Sequence, residues 1–165
     1  MAATYTPIAS ATVGTATTTV TFSSIPSTYT DLVLIVSADV TSGGQNLSLT
    51  FNSDTATNYS RTFLYGNGTS AVSARSSSQS SIGLSEFGAS GSGSHNIINI
   101  MNYANTTTNK TVIQRGGYAS NIVAATVGLW RNTAAITSLS CVPTGGTTWV
   151  AGSTFNLYGI LGANA

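Results

Sequence analysis

Proton transfer, nucleophilic attack and metal binding draw on His, Cys, Asp, Glu and Lys, and this chain carries few of them. His95 is the single histidine, Cys141 the single cysteine, and the acids are Asp31, Asp39, Asp54 and Glu86. A Ser–His–acid triad would have to use His95, which opens the stretch HNIINIM. No G-x-S-x-G elbow precedes a helix, so His95 reads as a solvated loop residue. A glycosidase pair needs two supported carboxyls flanking one bond, whereas each acid here stands alone among Ser, Thr and Gly. Asp31, after PSTYT, reads as the close of a turn. Asp54, in FNSDTATNYS, reads as an Asx-turn. With Asn52 and nearby carbonyls it marks the one oxygen-rich spot suited to calcium, but a lone carboxylate favours the plain loop. A single cysteine excludes an intrachain disulfide and a thiolate-built zinc site, and SLSCVPT places Cys141 in a strand as a small buried apolar residue. TSGGQN and PTGGTT read as hairpin turns, not phosphate cradles. The sequence therefore assigns no catalytic residue, no metal site and no cofactor, and an enzyme is not expected.

Binding chemistry is a separate matter. The cations Arg61, Arg75, Lys110, Arg115 and Arg131 are scattered, and the formal net charge is +1. Weak electrostatic steering makes nucleic acid or an anionic membrane a poor partner. Tyr59, Phe63, Tyr65, Tyr103, Tyr118, Trp130 and Trp149 supply enough aromatic surface for a sugar platform, although most suit a core. Trp149, in GGTTWVAGS, falls where a hairpin tip is expected and is the best exposed candidate.

The elements that must position these residues are strands. Charged residues make up 5% of the 165 residues, against about 25% in ordinary soluble domains. Thr, Ser, Asn, Ala and Gly fill the gap. No apolar repeat of helical period is convincing, whereas period-two alternation recurs along the chain. TTTVTFSSI puts Val20 and Phe22 on one face. LVLIVSADV puts Leu32, Leu34, Val36 and Ala38 on one face and Val33 and Ile35 on the other, as in a central strand covered on both sides. NLSLTFN turns Leu47, Leu49 and Phe51 inward. NYSRTFLYG sets Tyr59, Arg61, Phe63 and Tyr65 against Thr62 and Leu64. Gly-, Asn- and Pro-rich turns separate such runs, which predicts an all-β, jelly-roll-like two-sheet sandwich of about eight to ten short antiparallel strands. A closed barrel is the alternative.

One domain over 1–165 is expected. Residues 66–94 read as a Ser/Gly-rich insertion whose order needs short strands or a neighbouring subunit. Residues 1–19, without a charged side chain, read as an attachment segment, with Tyr5, Pro7 and Ile8 as partner-binding candidates beside Trp149. The N-terminus lacks the basic start and apolar core of a signal peptide, and no run reaches membrane-spanning length.

IPSTYTDL, FNSDTATNYS and the closing GSTFNLYGI are the most specific parts of a likeness running from about Tyr5 to Ile160. On these stretches the chain resembles small virion structural proteins of tailed bacteriophages. The resemblance implies a non-enzymatic decoration or cement protein on the particle surface, bound to the major capsid protein or other virion subunits, as a homotrimer. A tail or head fibre that binds host-surface glycan is the second expectation, with Trp149 as its contact. A surface of hydroxyls and amides suits either, because packing it against a neighbour buries no unpaired charge.

Overall fold

The computed structural model describes residues 4–162. Among them there is no helix, and twelve strands form two antiparallel sheets. The large sheet contains β1 (Thr6–Thr12), β3 (Asp31–Ser37), β5 (Tyr59–Gly66), β6 (Ala71–Gln79), β8 (His95–Met101), β9 (Lys110–Tyr118), β10 (Ile122–Trp130) and β12 (Thr154–Ile160). Its order is β1-β12-β3-β8-β9-β10-β5-β6. The small sheet contains β2 (Val20–Phe22), β4 (Gln45–Phe51), β7 (Ile82–Phe87) and β11 (Leu139–Pro143), in the order β2-β11-β4-β7. The all-β sandwich is as expected, with twelve strands instead of eight to ten.

The chain changes sheet at every connection except β5–β6, β8–β9 and β9–β10. Four of the crossings, β1 to β2, β3 to β4, β7 to β8 and β11 to β12, place successive strands in matching order in the two sheets. In the large sheet β3 lies between β12 and β8; in the small sheet β4 lies between β11 and β7. The chain thus wraps as a folded ribbon, which gives the jelly-roll character. The alternation read in the sequence fixes which side chains meet between the sheets. Leu32, Leu34 and Val36 of β3 face Leu47, Leu49 and Phe51 of β4 across one core, joined by Ile98, Ile100, Val112, Phe155 and Leu157. Val33, on the opposite face of β3, is buried as well.

The two ends of the large sheet behave differently. β1, from the expected attachment segment, is an edge strand paired with β12, and its register slips between Pro7 and Ala9. Proline and an irregular register both blunt an edge against further pairing. Ile8 and Ala11 pack against the core, while Tyr5 stands half-exposed with its ring edge-on to Tyr158. At the other end β6, from the Ser/Gly-rich segment, pairs with β5 and is exposed along most of its length. Residues 66–94 are therefore built into the sandwich as β6 and β7, and β7 closes the small sheet.

Candidate functional site

The sequence candidates fall in four places. The first is the Asp54 turn. Asp54 Oδ1 accepts from Ala56 N at 2.9 Å, the expected Asx-turn. Its Oδ2 accepts from Asn58 Nδ2 and from the Trp130 indole, each at 2.8 Å. Donation from the Asn58 amide, the Ala56 backbone and the Trp130 indole holds the Asp54 carboxyl down at about 2. Asn52 Oδ1 is likewise taken by the N–H groups of Thr137 and Ser138, and its Nδ2 donates to the Ala135 carbonyl. The two oxygens considered for calcium are thus knitted into the protein. Among the described residues no group of three His, Cys, Asp or Glu side chains comes together to hold a metal.

The second place is the Asp39–His95 corner. His95 is the first residue of β8 and not a loop residue; its Nδ1 lies 2.9 Å from the Ser37 hydroxyl on the paired strand. A Ser–His contact thus exists, but Asp39, which lines the same pocket as His95, has its carboxylate engaged elsewhere. Asp39 Oδ2 accepts from the Gly91 and Gly93 N–H groups at 2.9 and 3.3 Å. Its Oδ1 accepts from both the backbone N–H and the hydroxyl of Ser94 at 3.1 Å. Asp39 is the clasp of the Ser/Gly-rich loop, and a carboxylate receiving several N–H groups is a strong local anchor. Residues 91–94 of that segment are thus held from within the chain. No signal at Asp39 in the sequence foretells this, because its partners lie 52 to 55 residues away.

The third is Trp149, where the expectation of exposure is overturned. Trp149 is fully buried. Its ring meets Phe87 and Phe155 edge-on at 5.1 and 5.2 Å, and its N–H donates to the Cys141 carbonyl. Backbone bridges to Thr17 and Val40 carry the tip of this hairpin across the end of the sandwich, so the indole closes the core instead of pointing outward. Cys141 is buried as expected, and burial pushes its thiol up to about 12. Lys110, one of the scattered cations, is also buried, with Nζ donating to the Thr108 and Thr133 carbonyls; desolvation lowers its pKa.

The fourth is the outer face of the large sheet, which sequence reasoning missed. Solvated faces of antiparallel sheets are ordinarily polar. Here Val123 is 70% exposed, Leu64 59%, Val127 52% and Ile113 44%. They lie on three adjacent strands: Leu64 pairs with Ala125, and Val127 pairs with Ile113. A shallow groove of about 540 Å³ continues the strip between Ile97, Arg115, Tyr118 and Val123. The outward alternation of NIVAATVGLW was readable in principle. Which face of β10 lacks a cover depends on sheet order, and spacing does not give that.

Comparison with protein-family models, with curated proteins and with solved structures gives no match to this chain. The class defined by the fold is an all-β, two-sheet sandwich; function has to be argued from its surfaces.

Proposed function

We propose that this chain is a non-enzymatic structural protein of a tailed-bacteriophage particle, most simply a decoration or cement subunit seated on the head lattice. The phage assignment rests on the resemblance of IPSTYTDL, FNSDTATNYS and GSTFNLYGI. The observation that carries the docking role is the apolar strip of Leu64, Ile113, Val123 and Val127 on the outer face of the large sheet. Contiguous exposed apolar surface of this kind marks interaction sites. Covering it removes apolar area from water at roughly 25 cal/mol per Å². Two arginines flank it, Arg115 opposite Ala125 and Arg75 opposite Thr62, and their long stems keep the guanidinium ends in water while a protein partner covers the strip.

The test is occupancy on purified particles. Val123→Asp with Val127→Asp places two carboxylates on the exposed strip and leaves the core untouched. The doubly substituted protein should keep its melting temperature and lose particle binding. Undiminished occupancy would remove the strip from the docking role. Particles that lack the protein in the wild type would remove the assignment altogether.

A further inference from the structure

The inner face of β5 carries Tyr59, Arg61, Phe63 and Tyr65, and only Tyr59 is fully buried. The reason is the sheet order. The small sheet ends at β7, while the large sheet continues past it through β5 to β6. Beneath this overhang lies a cleft of about 210 Å³, lined by Arg61, Phe63, Tyr65, Ser85, Glu86 and Thr126 among others.

Its wall is a ladder of three side chains. The Phe63 and Tyr65 rings are stacked near parallel, with centroids 6.2 Å apart and 11° between their planes. The Arg61 guanidinium sits 4.4 Å from the Phe63 ring centre and donates to the Gly83 carbonyl at 2.6 Å. Gly83 makes room for it, since a β-carbon there would lie 2.5 Å from Arg61 Nη1. The facing wall is shaped by a bulge. Asn46 pairs with Glu86 and Ser48 with Gly83, so Leu84 and Ser85 together oppose Leu47. A bulge re-aims side chains, and both Leu84 and Ser85 are turned inward and buried. Ser85 is 6% exposed, and its Oγ has no hydrogen-bond partner within the protein. An unpaired buried hydroxyl is costly to keep.

We propose that this cleft binds one ring of a neutral saccharide. The apolar C–H face of a pyranose packs against the free side of Tyr65, because Phe63 already holds Arg61 over one face and Tyr65 stacked against the other. Its hydroxyls, each both donor and acceptor, suit a site that offers a guanidinium, a carboxylate and a hydroxyl. Arg61 and Glu86 line the same space, so a carboxylated sugar meets Glu86 and a cationic ligand meets Arg61. The cleft is smaller than the roughly 300–1,000 Å³ of sites for drug-sized ligands, which fits a single ring. This inference does not rest on the head-lattice reading. The cleft lies on the face of β5 and β10 opposite to the apolar strip.

The test is a heteronuclear NMR titration of the folded protein with glucose, galactose, mannose and N-acetylglucosamine, with glucuronate as the acidic arm. At least one neutral sugar should give saturable shifts confined to the residues named, in the roughly millimolar range. Tyr65→Ala should weaken this about tenfold, the order expected for one lost aromatic contact. Tyr65→Phe should restore it. Ser85→Ala, which removes an unpaired hydroxyl and disturbs the fold least, should also weaken it. Absence of saturable shifts with every neutral sugar overturns the proposal. So do shifts that survive both Tyr65→Ala and Ser85→Ala, or binding of glucuronate alone. Val123→Asp with Val127→Asp should leave the titration unchanged, which separates this site from particle docking.

Discussion

The indole N–H of Trp130 donates to Oδ2 of Asp54 at 2.8 Å, joining the end of β10 to a turn 76 residues earlier in the chain. Around that bond Tyr59 stacks on Trp130 at 6.1 Å, and its hydroxyl donates to the Asp54 carbonyl at 3.0 Å. Burial raises the Tyr59 phenol to about 12. One carboxylate thus ties a loop, a strand end and an aromatic stack together.

That tie is sensitive to acid. The Asp54 carboxyl sits at about 2 in the folded protein and at about 3.9 in an unfolded chain. A depressed folded value stabilises the protein above the unfolded pKa and ceases to do so as pH falls through the folded one. The melting temperature should hold above about pH 5 and drop between about pH 4 and 2. Asp54→Asn should melt lower at neutral pH and flatten that drop. A wild-type decline of unchanged steepness in Asp54→Asn would place the acid sensitivity elsewhere.

Trp149 is a core residue, and its removal should act through stability. Trp149→Ala leaves a cavity between Phe87 and Phe155 and frees the Cys141 carbonyl. A loss of about 3–5 kcal/mol is expected, a large part of the total of a typical domain. Denaturant unfolding measures it directly. A change below about 1 kcal/mol would contradict full burial of the indole.

Cys141 gives a clean reporter of global opening. Its thiol is buried and its pKa is pushed to about 12, and the thiolate is the reactive form. An aromatic disulfide reagent should label the native protein only as fast as it unfolds, and label it at once in denaturant. Rapid labelling of the native state would show β11 opening locally.

Asp39 should act locally. Asp39→Ala frees the N–H groups of Gly91, Gly93 and Ser94 together. Hydrogen bonds to a charged group contribute about 1.5–3 kcal/mol each at most. Amide exchange should quicken across 88–94 while the β3 and β8 amides keep their protection. Uniform loss of protection would make the clasp a condition of the whole fold.

Strands whose alternation pairs large apolar residues with polar ones were legible in the sequence. β4 and β12 face as their residues predict, because burial on one side selects the register, and the unbroken apolar run of β3 marked it as a strand whose second face also buries Val33. β1 and β6 were not legible as strands. AVSARSSSQ has a single β-branched residue and no aromatic one, and TPIASAT carries Pro7 within its run; they are strands because β5 and β12 offer them open edges. Tertiary context overrides propensity at such positions. Trp149 misled for a related reason, since a Gly-rich hairpin looks exposed until Thr17 and Val40 bridge to it. The cleft under β5 was half legible. Arg61, Phe63 and Tyr65 visibly share a face, but the missing cover is a property of where β7 stops.

The pairing of β1 with β12 sets Thr6 across from Gly159, so chain entering before β1 and chain leaving after β12 do so at one corner. Tension applied between those two points would peel the outer strand away one hydrogen bond at a time, as a zipper opens, and never load the ladder in shear. A tether pulling on both ends at once would therefore load this strand pair in its weak, unzipping direction.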